Sequence, residues 1–465
     1  MKDGKRVVIT YGTYDLFHHG HERLLERAKA LGDYLIVGVT SDAFDRSRGK
    51  LNVFQPLSER LNAVLASGIA DKVIVEEFQG QKISDIIKYD VDVFVIGSDW
   101  TGKFDYLKRY CDVVYLERTK GVSSTELRAS RIHEVSIGCI GADYLVGRFV
   151  REAGHVPGAK LTHVLPLEGQ DASELADAHG LTVAGSLEEL VSAVDAVYIS
   201  APVNMREGLI EAALNANCHV ISESPAFLSL EACDRLHALA AEKRLVLMEG
   251  IKTLYFPAFQ RLRLMLESGV IGEIKDIRAS YSHVFDELDY TDKYEGSFYD
   301  MATYALLPAI TLLGPDYLDA RLICANRDGF NLWTKAELLY DTASATLSSG
   351  RGLKTEGDMV ITGANGYIYV PAPWWKTEYF EVRGEDLRNT KKHFFECAGE
   401  GQRFEVFEFL ARVANIAESG ADHARYGVDE TRAVTALVER FDKGDVAVLN
   451  SGKFHFGGGE RVDDR

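Results

Sequence analysis

Short apolar runs at residues 7–10, 34–39, 72–75, 91–96 and 113–116 punctuate the first quarter of the chain, and the stretches between them, such as 22–31, carry apolar positions at helical spacing. Runs without a polar face read as strands buried on both sides. Their alternation with helices predicts βαβ units and a parallel sheet covered on both faces. The rhythm restarts after a short polar connection at 130–134, where residues 135–142 read as a strand entering a glycine turn and a helix follows from Tyr144. Further along, 404–419 has helical periodicity and is expected to pack back on the fold that begins at 135. The glycine-rich end, 457–465, reads as a mobile tail.

Composition divides the chain in the same place. A length of 465 residues with 46% hydrophobic content exceeds one ordinary core and predicts two or three domains. The net charge of −18 is uneven: 20 basic against 19 acidic residues over 1–131, and 32 against 51 over 132–465. An acidic second part argues against nucleic acid and anionic membrane as partners, while the balanced first part leaves basic groups free to meet phosphates. No stretch reaches the length of a membrane span and residues 1–5 lead into a strand rather than a signal core, so the expectation is a soluble, cytoplasmic protein. The six cysteines lack CxxC or metal-type spacing and read as buried thiols, with neither a disulfide framework nor a metal site.

The chemistry centres on Gly12-Thr13-Tyr14-Asp15-Leu16-Phe17-His18-His19-Gly20-His21, between the first strand and the first helix. A strand, tight turn and helix start aim backbone N–H groups and a positive helix end at one point, where a polyphosphate is held. His18 and His21 flank Gly20 and can follow charge building on a phosphate. In a parallel sheet the ligand lies beyond the carboxyl ends of the strands, and the other marked residues fall there too. Gly97-Ser98-Asp99-Trp100 follows the fourth run, with an acid to receive a hydroxyl or amino donor and an aromatic wall for a small polyol. Arg118 offers a fork for phosphate after the fifth, and Ser123-Ser124-Thr125-Glu126 opens a helix, a pattern that a plain capping box explains equally well. Lys50, on a loop, reads as a mobile point charge. Arg60 is expected to face the cleft behind a helix capped by Ser58, with a surface ion pair as the alternative.

This string resembles the signature of the cytidylyltransferase family of nucleotidyltransferases, and the downstream stretches, including Gly102-Lys103-Phe104-Asp105 and 118–125, are similar to its glycerol-3-phosphate branch over residues 1–131. The resemblance implies transfer of CMP from CTP, with Mg²⁺, to a small alcohol phosphate. Glycerol 3-phosphate is the first choice, giving CDP-glycerol for a cell-surface polymer; ethanolamine phosphate or another alditol phosphate is the alternative. It makes His18, His21, Lys50 and Arg118 catalytic. Gly12, Thr13, Tyr14, Asp15, Gly20, Gly97, Asp99, Thr119, Ser123, Ser124 and Thr125 become nucleotide-binding, and Arg60, Trp100 and Lys103 acceptor-binding.

From residue 132 the order of elements resembles the Gfo/Idh/MocA oxidoreductases, implying a Rossmann-type domain over 132–250, an α/β domain with an open, mostly antiparallel sheet over 251–450, and a tail over 451–465. Departures from that pattern weaken the expectation of NAD(P). Gly141 fills the first glycine place but Asp143 stands at the second, where a carboxylate meets the approaching pyrophosphate, and Val146 at the third. The family's Glu-Lys-Pro is Glu223-Ser224-Pro225, without its lysine, whereas Asp300 and Tyr304 match the acid and base positions and Lys252 lies nearby. The expected role is structural, regulatory or ligand-binding, with an NAD(P)-dependent reductase that makes the alcohol phosphate as the alternative. Sheets of this kind commonly pair, so a homo-oligomer, dimer or higher, is expected, with Trp374 and Trp375 either anchoring that contact or packing in the core.

Overall fold

The structure, a computed structural model, describes residues 4–47, 53, 55, 57–78, 80–117, 134–284, 292–395, 399–419 and 426–449. The chain divides into two compact units, Met1–His133 and Glu134–Arg465. The tail expected over 451–465 lies outside the described residues.

In the first unit the apolar runs become β1 (Val7–Gly12), β2 (Tyr34–Thr40), β3 (Lys72–Glu76), β4 (Val93–Gly97) and β5 (Asp112–Leu116), and the helical stretches become α1 (His19–Lys29), α2 (Asp42–Ser47), α3 (Leu57–Ala66) and α4 (Gln81–Tyr89). The strands pair in parallel in the order β3-β2-β1-β4-β5. Because side chains alternate across a strand, Val8, Leu35, Val37, Val93 and Val95 pack under one helical layer. Ile9, Ile36, Phe94 and Ile96 pack under the other. The sheet grows outward on both sides of β1, so the loops leaving β1 and β4 part at their carboxyl ends and open a crevice there.

The second unit begins with β6 (Val135–Ile140), β7 (Ala159–Leu165), β8 (Thr182–Val183), β9 (Ala196–Ile199), β10 (His219–Glu223) and β11 (Leu247–Gly250), connected by α5 (Tyr144–Ala153), α6 (Ser173–His179), α7 (Leu187–Ala193), α8 (Val203–Asn215) and α9 (Leu230–Lys243). These strands are parallel, in the order β11-β10-β9-β6-β7-β8, the doubly wound arrangement with its switch point between β6 and β9. After α10 (Pro257–Glu267) come β12 (Ile274–His283), α11 (Ser297–Leu312), β13 (Asp319–Arg327), β14 (Phe330–Leu339), β15 (Ser344–Arg351), β16 (Met359–Gly363), β17 (Gly366–Val370), β18 (Tyr379–Arg383) and β19 (Lys391–Phe394), then α12 (Gln402–Ser419), α13 (Val428–Asp442) and β20 (Ala447–Leu449). They build one sheet in the order β19-β18-β17-β16-β12-β15-β14-β13-β20. It is antiparallel except where β12 meets β15 and β13 meets β20, and α11 packs on β12, β14 and β15. As its periodicity implies, α12 returns to the Rossmann-type half, where Arg403 forks onto Glu152 of α5 at 3.0 and 2.9 Å.

Among the described residues no helix is long and apolar enough to cross a membrane, and Cys111, Cys139, Cys218, Cys233 and Cys324 are unpaired. Trp374 is fully buried, and its indole N–H donates to the Ser280 carbonyl at 2.8 Å. This decides for core packing over an oligomer anchor. Trp374→Ala is therefore expected to lower the stability of the second unit by about 3–5 kcal/mol and to leave the subunit number unchanged, as read by urea denaturation and sedimentation on the full chain.

Candidate active sites

The turn after β1 is held in a conformation that its sequence alone disfavours. Tyr14 and Leu16 have φ of 54° and 48°, the left-handed region that bulky residues avoid. Surrounding bonds fix it there. Thr13 Oγ1 donates to Asp45 at 3.0 Å. The Leu16 N–H donates to the Gln55 side chain at 2.8 Å, and the Gln55 N–H to Asp15 at 2.9 Å. Thr13, Tyr14 and Asp15 are all buried, so the Tyr14 ring is a pillar beneath the turn and leaves its backbone for a ligand.

His18 is the N-cap of α1, and its Nδ1 accepts the Gly20 N–H at 3.0 Å. In the neutral ring the hydrogen then sits on Nε2. His21 stacks on His18 with centroids 4.0 Å apart and planes 18° apart, and Tyr14 meets it edge-on at 5.4 Å. The two imidazoles thus form one rigid pair at the N-terminal end of a helix, beyond the carboxyl end of the central strand. Across the crevice, β4 ends at Gly97, and the following turn, Ser98–Trp100, presents Asp99 and a half-exposed Trp100. The Lys103 ammonium lies 5.3 Å from the Trp100 ring centre, a cation–π distance. Lys50, Arg118, Thr119, Ser123, Ser124 and Thr125 lie outside the described residues.

Arg60 corrects the sequence reading. It does not face the crevice: it is wholly buried, donating to the carbonyls of Thr13 at 2.7 Å, Thr40 at 2.8 Å and Gln55 at 2.9 Å, and to the carboxylate of Asp42. With its donors so engaged it is a brace for the loops, not a receptor for an acceptor phosphate. Ser58 likewise does not begin its helix; Leu57 does, and its N–H donates to Asp42 at 3.1 Å. Sequence reasoning also missed a buried network at the ends of β1 and β3, in which Lys82 pairs with Glu76 and the Tyr11 hydroxyl donates to Asp85 at 2.8 Å. Burial, then Asp85, pushes the Tyr11 phenol up. The inward spacing of Lys82 and Asp85 on α4 was its only trace.

In the second unit, Gly141 follows β6 with φ +104°, and a Cβ there would strike the Ser200 carbonyl oxygen at 2.2 Å. Asp143 caps α5, accepting the Val146 N–H at 2.9 Å and the Ser200 hydroxyl at 2.8 Å, while Gln170 accepts the Ala142 N–H at 2.7 Å. Beyond β10 and β11 a second cluster gathers. Glu223 accepts the Tyr198 hydroxyl. Lys252 begins the turn Lys252–Tyr255, and burial, then Arg148, lowers its pKa to about 8 against the pull of Glu223 and Glu405. Glu405, from α12, is buried, and its carboxyl is held well above the usual range by burial and then Glu223. Tyr304 of α11 stacks on Tyr281 at 5.2 Å and feels the charges of Glu223 and Glu405. Asp300, one turn away, is paired to Arg351 at 2.5 Å. Lys252, Glu223 and Tyr304 therefore meet in one electrostatic neighbourhood, with Arg148 and Glu405 as members that their places in the sequence did not reveal.

The comparisons match both halves. Residues 9–130 match the cytidylyltransferase-like family, and 135–251 the NAD-binding Rossmann fold of the oxidoreductase family. The glycerol-3-phosphate cytidylyltransferase of Bacillus spizizenii is 53% identical over 123 residues, 26% of this chain and 95% of that relative. The chain belongs to the cytidylyltransferase-like family. Fused to this cytidylyltransferase unit is a Gfo/Idh/MocA-type oxidoreductase unit. The scyllo-inositol 2-dehydrogenase (NADP⁺) IolU of Bacillus subtilis is 27% identical over 272 residues, 55% of this chain and 81% of that relative. KijD10, a 3-ketoreductase from Actinomadura kijaniata solved with NADP and TDP-benzene, shares the fold with a TM-score of 0.60 at 22% identity, covering 68% of this chain and 99% of that one. In the oxidoreductase-like unit Gly141 lets β6 end against the Ser200 carbonyl, and the N–H groups of the turn are taken by Asp143 and Gln170, so the residues present do not offer a pyrophosphate the bare glycine turn of a dinucleotide site.

The brace at Arg60 generates a prediction. Arg60 also lies 3.7 Å from the buried Asp45 carboxylate, so Arg60→Met leaves that charge beside an apolar group and is expected to destabilise the cytidylyltransferase unit by about 3 kcal/mol or more. Arg60→Lys recovers little, because one ammonium cannot span carbonyls on separate loops. Urea denaturation of the full chain, following the transition of that unit, checks both.

Proposed function

We propose that the cytidylyltransferase unit transfers CMP from CTP to glycerol 3-phosphate, giving CDP-glycerol and pyrophosphate. The observation that carries this reading is the stacked His18–His21 pair at the N-terminal end of α1, beyond the carboxyl end of β1. The likeness to glycerol-3-phosphate cytidylyltransferase over nearly its whole length supports the choice of acceptor.

CTP enters with its phosphates over the turn from Gly12 to Gly20, and Mg²⁺ bound to those phosphates would neutralise part of their charge. A phosphate oxygen of the acceptor attacks the α-phosphorus in line, and pyrophosphate leaves with the electron pair of the broken P–O bond. No covalent intermediate is required, so the protein contributes position and stabilisation of developing charge. The Nε2–H of His18 and the ring of His21 meet the phosphate oxygens as charge builds; Lys50 and Arg118 add positive charge, and Ser123, Ser124 and Thr125 with Thr119 hold the outer phosphates. Gly97 and Asp99 border the nucleoside. With Arg60 occupied inside the unit, the acceptor is left to Trp100 and Lys103 at the mouth of the crevice.

His21→Ala is expected to lower kcat by about 100-fold or more with a much smaller change in CTP affinity, because the ring acts chiefly on the transition state. Pyrophosphate release, measured with CTP, ATP, GTP and UTP against glycerol 3-phosphate, ethanolamine phosphate and ribitol 5-phosphate, tests donor and acceptor together. Turnover confined to a pair other than CTP and glycerol 3-phosphate would replace this assignment.

A further inference from the structure

The turn that a dinucleotide fold leaves open for a pyrophosphate is filled here by the chain itself. After β6 come Gly141, Ala142 and Asp143, and the place where a second glycine would let a phosphate reach the backbone carries a carboxylate. Both of its oxygens are used: Oδ1 accepts the Val146 N–H of α5 at 2.9 Å and Oδ2 accepts the Ser200 hydroxyl at 2.8 Å. Ser200 is 2% exposed and follows β9, so the second of these bonds runs from the loop leaving β6 to the loop leaving β9, the strands that flank the switch point. The crevice in which such a sheet holds its ligand is bridged from wall to wall. Gly141 itself is required by the Ser200 carbonyl, so that glycine answers the packing of two strand ends and not a ligand. A further donor of the turn is answered as well. Gln170 Oε1 accepts the Ala142 N–H at 2.7 Å and the Leu167 N–H at 3.0 Å, tying the loop after β6 to the loop after β7. At the end of β7, where an acid or an arginine would meet the adenosine ribose, stand Pro166 and Leu167, and Leu167 packs against the apolar core of this half.

We propose that the dinucleotide crevice of the second unit is closed by Asp143, Ser200 and Gln170, and that the unit works without NAD or NADP. The Asp143 carboxylate takes the place that a pyrophosphate holds in an open crevice of this fold. Its charge at the start of α5 is the sign that the helix dipole favours, and a pyrophosphate brought to the same point meets it as a like charge. To admit that ligand, Asp143 would have to release Val146 and Ser200 together while its own charge stayed beside the incoming one. Gln170 would also have to release Ala142 and Leu167. Each bond so broken has to be replaced by one to the ligand, and an ionised carboxylate has no hydrogen to offer a phosphate oxygen. The fold is thus shared with KijD10, solved with NADP, while the cofactor is not. Work left to the second unit is binding or support that needs no hydride. This inference stands apart from nucleotidyl transfer, since none of its groups belongs to the first unit.

The test uses the full chain. NADH and NADPH are titrated separately by nicotinamide fluorescence, and amide hydrogen exchange over residues 141–147 is measured by mass spectrometry with and without millimolar NADP⁺. No saturable change is expected with either dinucleotide up to millimolar concentration, and exchange over 141–147 should be the same in both samples. Asp143→Gly combined with Gln170→Ala removes the carboxylate and the amide that close the turn, and this variant is expected to bind NADPH saturably. Saturable binding of either dinucleotide by the native chain, or slower exchange over 141–147 in the presence of NADP⁺, overturns the proposal, and neither measurement depends on a variant folding. A double variant that keeps a cooperative urea transition and still binds no NADPH takes the closure away from Asp143 and Gln170, and overturns it equally. Pyrophosphate release by the same preparations reports the first unit separately.

Discussion

A single buried guanidinium decides the shape of the nucleotidyltransferase site. Arg60 ties together the turn after β1, the end of β2 and the approach to α3 by donating to Thr13, Thr40 and Gln55, and Asp42 balances its charge. The turn needs that support because Tyr14 and Leu16 sit in a backbone region unfavourable to side chains. The His18–His21 pair stands on the helix that this turn feeds. Its geometry therefore rests on an ion pair that touches neither ring. Charge buried this deeply stabilises only while every donor is answered, and the carbonyls around Arg60 answer it from loops distant in sequence.

That dependence explains what the sequence could and could not reveal. The βαβ rhythm was legible because burial on both faces leaves uninterrupted apolar runs, and each expected strand of the first unit formed within a residue or two. The histidine pair was legible because its chemistry is local, with residues three apart in a turn between strand and helix. Arg60 was not. A Glu-Arg pair at the start of a helix looks the same whether the guanidinium reaches outward to a phosphate or inward to carbonyls on other loops. Ser58 misled for a related reason: a local cap was assumed, whereas Asp42 supplies the acceptor from fifteen residues earlier.

The second unit sharpens the point. Gly141 and Asp143 were visible as a departure from a glycine pattern, but the consequence of that departure lies in Ser200, whose carbonyl forbids a side chain at 141 and whose hydroxyl binds Asp143. Lys252 and Tyr304 were visible singly. Their common neighbours, Arg148 and Glu405, come from α5 and α12, far apart in the chain, and only the return of α12 to the Rossmann-type half brings them together.

Whether such a cluster is a relic can be argued from its energetics. Removing a carboxylate and an ammonium from water carries a penalty that their attraction seldom recovers in full, and apolar replacements of similar volume are often neutral or stabilising. The second unit nevertheless holds Glu223, Glu405 and Lys252 together beneath its sheet edge, with the carboxyls driven toward their protonated forms by burial and the amine toward its neutral form. Groups so displaced from their ordinary protonation are costly to bury and contribute little as scaffolding. Apolar side chains are buried close by in sequence, at Leu254 and Met248, so the surroundings of the cluster are those of an ordinary core. The polar cluster thus carries an electrostatic cost at the carboxyl ends of β10 and β11 that apolar side chains would avoid.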